Sequence, residues 1–325
     1  MKVLSILPSP STPSALIFSR RQIGDLEKLG LSNETFFIPS RGLGLRLLLR
    51  TVRDLRKTIR RFDPDLLHVH YGVIFSFIAA VSNCRPLIIT FQGSDINTVR
   101  SRGVFRNIYG LTLSNLSLLR AGKVICVSQN LLKNFWWGRS KVVIIPPGIN
   151  LEKFRPKDKK ECRRSLHWKE EEKIILFNGN NPSVKRLDLA LATLERLKEK
   201  VPGARLEVLD GTLPDEEKIP LMLNGSDGLL ICSDSEGSPT MVKEALACNV
   251  PVVGVEVGDV AERLEGVARC RVVAKDPESL AQALEEMLAS EGPAGGRDKL
   301  IADGLSDEMV AKRIYNVYKE LIPRC

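Results

Sequence analysis

Several absences narrow the reading of this chain before any pattern is sought. Its seven cysteines, at positions 84, 126, 162, 232, 248, 270 and 325, form no Cys-x-x-Cys pair. An odd, scattered set argues against a disulfide framework or a structural zinc site and for free thiols in a reducing compartment. There are three histidines and only 6% aromatic residues, so neither a metal cluster nor a base-stacking surface for nucleic acid is expected. Long apolar runs are also missing. The longest candidate, 73–81, contains Ser76 and is far shorter than the ~20 residues a membrane-spanning helix needs. The apolar start, 1–7, runs into Pro8, Pro10 and Pro13, too soon for a secretory leader. A cytoplasmic protein is expected, and 325 residues suffice for two ordinary domains.

Acidic residues are scarce in the first half. Residues 1–155 carry 23 Lys and Arg against 8 Asp and Glu, whereas 156–325 carry 25 against 31, which divides the net +9 into +15 and −6. So uneven a split implies two parts, the first of which meets something anionic. The segment 43–61 shows the same excess. Leu45, Leu48, Leu49, Val52, Leu55 and Ile59 recur at helical spacing, Arg46, Arg50, Arg53, Lys57, Arg60 and Arg61 take the other faces, and only Asp54 offsets them. Its apolar stripe reads as packing on a sheet. Its arginines suit an anionic membrane surface and a peripheral position on the inner face of the cell membrane.

Short apolar runs alternate with helix-periodic segments throughout. Strands are expected at 3–7, 36–38, 66–69, 87–90, 124–127 and 142–145, then at 174–177, 206–209, 228–231, 252–255 and 271–273. Most are too apolar to leave one face in water, the habit of parallel strands covered by helices on both sides. Pro146-Pro147-Gly148 and Pro156 mark a boundary. The expected architecture is therefore α/β: a Rossmann-like domain over 1–150, a second over 151–308, and a last helix over 309–325 returning to the first domain. In such folds ligands bind beyond the carboxyl ends of the strands, here in a central cleft that the two domains face.

The most informative stretch runs from Asp234 to Pro251. It follows the expected strand 228–231. Ser238 suits a helix cap and Pro239 the first helical position. Asn249 suits the left-handed stop, and Pro251 forbids continuation. The amides of Thr240, Met241 and Val242 then point out of a positive helix end, a site for phosphate. Glu236 lies in the loop and Glu244 in the helix, and their carboxylates suit sugar hydroxyls. A sugar linked to a diphosphate needs both kinds of group.

Glu236 to Glu244, continuing through Ala245 to Val253, resembles the E-x7-E signature of family 4 retaining glycosyltransferases of GT-B fold. The stretch 142–150 with Phe154 and Pro156 is similar to that family's interdomain segment, 177–188 to its "vGR….KG.d" loop, and Thr90 to Asp95 to a landmark of its first domain. The resemblance implies a retaining, metal-independent hexosyltransferase that moves a sugar from a nucleotide-sugar co-substrate, a uridine diphosphate sugar by prevalence, to a glycan, glycolipid or lipid-linked acceptor. It implies Glu244 on the ribose, Glu236 beside the reacting carbon, and Lys185 on the leaving diphosphate. Gly179, Asn180, Gly237, Ser238 and Thr240 would line the donor.

The chain departs from that pattern in three places. Asn180 stands where the family has arginine; Arg186 either substitutes for it or is a solvated helix-start residue. Gln92 stands where the first domain carries histidine. It cannot act as a base but can bind a sugar, and His70, at the end of the strand 66–69, is a second catalytic candidate opening toward the cleft. Asp95 either binds acceptor or caps the next turn. The first loop lacks Gly-Gly and presents Ser14 and other hydroxyls to an acceptor. A nucleotide-sugar 2-epimerase of the same fold is a competing reading, weakened by the few acids and bases available for proton shuttling. A non-catalytic nucleotide- or glycan-binding relative is another, motivated by Asn180 and Gln92.

Overall fold

The structure, a computed structural model, describes residues 1–10, 16–40, 44–82, 85–97, 103–209 and 218–322. The chain divides into two units, Met1–Gly148 with Asp307–Cys325, and Ile149–Ser306. The first is built on β1 (Lys2–Pro8), β2 (Ser32–Ile38), β3 (Leu66–Val69), β4 (Leu87–Phe91), β5 (Lys123–Cys126) and β6 (Val142–Ile144), joined through α1 (Ile17–Lys28), α2 (Leu45–Phe62), α3 (Val73–Ser82) and α4 (Val104–Leu118). All its strand pairs are parallel, in the order β2-β1-β3-β4-β5-β6.

The second unit holds α5 (Lys159–Ser165), β7 (Lys173–Asn178), α6 (Pro182–Lys185), α7 (Leu187–Lys200), β8 (Ala204–Leu209), α8 (Lys218–Gly225), β9 (Gly228–Ile231), α9 (Thr240–Ala247), β10 (Val252–Val255), α10 (Val260–Leu264), β11 (Arg271–Val273), α11 (Pro277–Ala289) and α12 (Gly296–Ala302). Its sheet, also parallel throughout, has the order β11-β10-β9-β7-β8. Counted from its own first strand this is again 2-1-3-4-5, so each unit reverses strand order once, between β1 and β3 and between β7 and β9. Ligands bind at the carboxyl ends beside such a reversal.

Every expected strand is present. β3, β4, β9 and β10 are buried along their whole length, because helices cover both faces. The largest difference is at β2, which begins at Ser32 rather than 36. It is an edge strand, and its first residues Ser32, Asn33, Glu34 and Thr35 are polar and only partly buried or exposed, so no apolar run announces them. The five cysteines among the described residues are free and buried. Burial pushes the thiols of Cys232 and Cys248 up to about 12 and that of Cys270 to about 11, so they stay protonated at neutral pH. No helix among the described residues is long and apolar enough to cross a membrane.

The last helix, α13 (Asp307–Leu321), belongs to the first unit and packs on α1. Val310, Ala311, Ile314, Val317 and Tyr318 form its buried face at helical spacing. Its anchor is polar. The Tyr318 hydroxyl bonds His68 Nδ1 at 2.6 Å, and His68 Nε2 bonds Thr90 Oγ1 at 2.6 Å. His70, two residues on and so on the same face, stacks on His68 with ring centroids 3.9 Å apart. It is 0% exposed, and neither ring nitrogen has a partner among the described residues. His70 was expected to open toward the cleft from the end of its strand; its side chain is instead fully enclosed. Burial lowers its pKa to about 3, so the ring is neutral at physiological pH.

A histidine whose folded pKa lies below its unfolded value resists protonation only when folded. Its stability contribution is present above about pH 6.5 and is lost as pH falls toward 3, at up to about 1.4 kcal/mol per pH unit. His70→Leu should therefore leave stability at pH 7 within about 1 kcal/mol and flatten the loss of stability between pH 6 and 4. Superimposable acid limbs in urea titrations of the two proteins would show that His70 does not carry this sensitivity.

Candidate functional site

The second unit gathers its chemistry beyond the carboxyl ends of β7, β9, β10 and β11. After β7 the chain makes a tight turn. Asn178 Oδ1 accepts the Asn180 amide at 3.0 Å, and the buried Gly179 donates its amide to Leu209 O at 2.8 Å. Asn181 then takes a left-handed conformation with φ 60°, and Pro182 opens the four-residue α6. Arg186, with φ 62°, closes α6 and begins α7. The two left-handed residues bracket one helical turn and direct Lys185 away from its own helix.

Lys185 reaches the loop after β9. Its Nζ donates to Glu236 Oε1 at 2.5 Å, and Ser233 Oγ donates to the same oxygen at 2.7 Å. The two loops are also joined by backbone, since the Asp234 amide donates to Val184 O at 2.8 Å. Arg186 points elsewhere, to Asp188 at 2.8 Å and Asp234 at 3.3 Å. Its guanidinium holds the exposed Asp188 carboxyl below the ordinary value. Lys275, beyond β11, donates to Ser233 O at 2.8 Å and to Asp234 Oδ1 at 3.1 Å. Three cations thus surround two carboxylates on one loop. The sequence reading missed Lys275; no motif marks it, and only the ends of a parallel sheet bring it here.

Thr240–Ala247 forms the expected helix α9, and Asn249 takes the expected left-handed stop with φ 56°. Glu244 lies in its second turn and is buried. Ser238 does not cap the helix as expected: Pro239 is the cap residue, with no side-chain bond, and the Val242 amide donates to Pro239 O at 3.2 Å instead of remaining open. The Ser238 hydroxyl is drawn inward. It donates to Asp259 Oδ2 at 2.7 Å and accepts from Lys243 Nζ at 2.6 Å. Asp259, in the loop after β10, lies 3.4 Å from Arg263 Nε, whose other arms reach Asp303 at 2.6 Å and Glu262. A charge in a dry interior needs partners more urgently than a helix-end amide, so the serine serves the ions.

Lys243 is 0% exposed, and the sequence reading passed over it although it adjoins Glu244. Burial lowers its pKa to about 8, with Asp259 and Glu244 opposing and Arg263 assisting the shift. The loop is pinned on its other side by Gly258, at φ +59°; a Cβ there would lie 2.6 Å from Gly237 O. This fixes the backbone of Gly237 and Ser238, the residues between Glu236 and α9.

The structure brings the described candidates of the first unit together through Gln92, whose backbone amide bonds Asp95 and whose side-chain amide bonds His70 O. Asp95 is buried and accepts the amides of Gly72 at 2.8 Å, Gln92 at 3.0 Å and Gly93 at 2.9 Å. It organises the turn after β4, the capping alternative. Burial pushes its carboxyl up while the amide donors pull it down. Gln92 Nε2 donates to Ser19 Oγ at 3.0 Å and to His70 O at 2.9 Å. Ser14 lies outside the described residues.

Two parallel α/β units of this topology define the GT-B fold class. The chain is similar over 99% of its length to sucrose-phosphate synthase from Thermosynechococcus elongatus, with a TM-score of 0.81, 17% identity and 99% of that chain covered. It is similar, again over 99%, to Anabaena HepE solved with UDP-glucose, with a TM-score of 0.75, 16% identity and 100% of that chain covered. At these identities the likeness concerns the fold. The family follows from sequence. The profile of Glycosyltransferase Family 4 matches residues 16–153, and that of Glycosyl transferases group 1 matches 172–290. A Bacillus subtilis protein provisionally assigned as the teichuronic acid biosynthesis glycosyltransferase TuaC is 24% identical, over 87% of this chain and 88% of its own. The chain belongs to the family 4, group 1 glycosyltransferases.

Asp259→Asn keeps the shape of the buried network and removes its anion, leaving Lys243 and Arg263 facing each other. Losing one partner of a buried ion pair costs about 3 kcal/mol or more. Hydrogen exchange of the α9 amides should accelerate accordingly, by at least tenfold. Unchanged protection would mean that the network does not hold this helix.

Proposed function

We propose that the chain transfers a hexose, with retention at the anomeric carbon and without a metal ion, from a nucleoside diphosphate sugar to a glycan, glycolipid or lipid-linked acceptor. The observation that carries this reading is the Lys185–Glu236 pair at the strand-order reversal of the second unit, in a chain of this family. A uridine diphosphate sugar is the proposed donor, supported by the UDP-glucose complex of HepE.

The proposed roles are those the family resemblance implies, and the geometry of the loops supports them. Glu244, on the second turn of α9, accepts hydrogen bonds from the ribose hydroxyls. The backbone of Gly179, Asn180, Gly237, Ser238 and Thr240 lines the phosphates and sugar; Ser238 contributes only backbone, because Asp259 and Lys243 occupy its hydroxyl. Lys185 turns from Glu236 to the diphosphate as the donor binds. Charge accumulates on that diphosphate as the glycosidic bond breaks, so a fixed ammonium favours the transition state over the ground state. It supplies there the positive charge that a metal ion supplies in other transferases. The released Glu236 oxygen accepts a sugar hydroxyl beside the reacting carbon. Arg186 and Lys275 add positive potential around Asp234 and make up for the arginine absent at Asn180.

In the first unit, Gln92 binds the sugar or acceptor through its amide, and Asp95 holds the loop that carries it. His70, neutral and enclosed, positions Gln92 through its carbonyl and transfers no proton. Retaining transfer on the donor's own face lets the leaving phosphate take the acceptor proton, so no histidine is required.

Native mass spectrometry against a panel of nucleotide sugars, followed by donor turnover with acceptor extracts, tests the proposal. At least one donor should be retained. Glu244→Ala should weaken its binding ten- to a hundredfold, the worth of one charge-assisted hydrogen bond. Lys185→Ala should lower kcat by about a hundredfold or more with a smaller effect on binding. Retention of no nucleotide sugar would overturn the reading. Epimerised donor in the absence of acceptor would replace it with the 2-epimerase, and binding without turnover would replace it with a non-catalytic relative.

A further inference from the structure

The first unit leaves two tryptophans in the open and uses a buried polar residue to fix them there. Trp136 is 52% and Trp137 37% exposed, on the connection between β5 and β6. Both are tied to the last turn of α4 through Asn115, which is 0% exposed. Asn115 Oδ1 accepts the Trp136 amide at 2.8 Å, and Asn115 O accepts Trp137 Nε1 at 2.9 Å. Its Nδ2 donates to Leu111 O at 3.0 Å and to Asn134 O at 3.2 Å. A buried amide must have its bonds matched, and here the matching partners are its own helix and the turn that carries the indoles. Large aromatic rings held rigidly in the open mark an interaction site.

The two rings do not lie flat on one another. Their centroids are 5.6 Å apart and their planes 71° from parallel, so they form a corner with two apolar walls. Gly138 follows with φ 75°, and the chain turns back on itself at Arg139. The Arg139 guanidinium donates to Phe135 O at 3.2 Å, the carbonyl of the peptide bond that leads into Trp136. A cation is thereby fixed at the corner, and it is exposed, with further N–H donors in its fork for a planar anion. Lys133, exposed on the single turn Gln129–Asn134 that leads to the pair, adds a second cation. From residue 96 to residue 151 the sequence contains no Asp or Glu, so no carboxylate of this stretch competes for either.

Ring chemistry and charge together select the occupant. The C–H bonds of a pyranose form apolar faces of slight positive charge, which stack on the negative face of an indole while the sugar hydroxyls remain in water or bond polar neighbours. Rings held in place beforehand lose little entropy on binding. An arginine at the same corner adds a preference for sugars that carry carboxylate or phosphate. A second copy of this chain fits less well, because a two-fold contact sets the same patch against itself, cation against cation, with no acid of the stretch between them.

We propose that Trp136, Trp137 and Arg139 form a binding site for an acidic glycan, a pyranose chain bearing carboxylate or phosphate groups. None of the three lines the cavity of the first unit that Tyr71, Ser94 and Asn97 enclose, and none has a role in the donor reading. The proposal concerns binding alone and stands without the transferase.

Tryptophan fluorescence of the full chain reads the site directly, because the third tryptophan, Trp168, belongs to the other unit and lies under the Arg205 guanidinium. The test is a titration with oligogalacturonate and with a phosphate-bearing mannan oligosaccharide, against the same mannan oligosaccharide without phosphate. At least one anionic glycan should give a saturable change in emission, and which of them does so separates carboxylate from phosphate recognition. Trp136→Ala keeps the amide that Asn115 holds, so it should unfold at the wild-type temperature and bind roughly tenfold more weakly. Arg139→Gln should remove most of the preference for the anionic over the neutral glycan. No saturable change with either anionic glycan, equal affinity for anionic and neutral forms, or equal affinity of wild type and Trp136→Ala would each overturn the proposal. A concentration-dependent dimer that Trp136→Ala abolishes in ultracentrifugation, or an emission change with phosphatidylglycerol vesicles and none with glycan, would assign the corner to a second copy or to a bilayer and overturn it equally.

Discussion

The loop of the second unit that carries Glu236 and Ser238 depends on a lysine sealed beneath it. Lys243 has no exposed surface, and a buried ammonium survives only where anions and acceptors are already fixed around it. Asp259 supplies the anion, Arg263 balances it, and the Ser238 hydroxyl joins them. These groups come from the loops after β9 and β10 and from α9 and α10. The network thus ties the residues following Glu236 to the body of the unit, and Gly258 closes it by pressing on Gly237. Glu244, the next residue along α9, is held in place by the same arrangement.

This explains which parts of the site were legible in the sequence. Strands were plain because a parallel sheet covered on both faces makes them continuously apolar; β9 and β10 needed only their composition. Edge strand β2 was half hidden because its outer half is polar. Glu236 and Glu244 stood out because their local frame, a strand, a helix start and a stop, is written in consecutive residues; Lys185 was named only through the resemblance of 177–188 to a family loop. Ser238 was misread for the complementary reason. Locally it is a good cap; Lys243 lies only five positions on, but the Asp259 that draws the hydroxyl inward lies 21 positions away. Lys275 and His68 escaped for the same cause: each acts through partners 22 to 250 positions away, contacts that only the order of the strands creates.

The first unit shows how a polar device can replace an apolar one at low cost when every group is matched. Tyr318, His68 and Thr90 form a closed chain of hydrogen bonds that fixes α13 on the sheet, more than two hundred residues after the strand it meets. His70 lies one step beyond that chain, with neither nitrogen satisfied among the described residues. The contrast between adjacent rings on one face separates structural satisfaction from burial alone: both histidines are held neutral, but only one repays its desolvation in bonds.

Arg186 shows how a residue other than glycine is held in a left-handed backbone conformation. The resembled loop pattern places glycine after the lysine, where a left-handed backbone is free of strain. Here the same conformation is held by arginine, with φ 62°, at a cost on the order of 1 kcal/mol. Two carboxylates hold its guanidinium, Asp188 on its own helix and Asp234 on the facing loop, and exposed pairs of this kind return a similar amount at most. Position 186 is therefore near neutral in energy but not in structure. It joins the loop after β7 to the loop after β9 again, beside the Asp234 to Val184 backbone bond, the Lys185 to Glu236 pair and the Cys232 thiol, which donates to Lys185 O and Arg186 O at 3.5 Å. Under the proposed function, a diphosphate competes directly for Lys185, and the other ties keep the loops in register while that lysine changes partner.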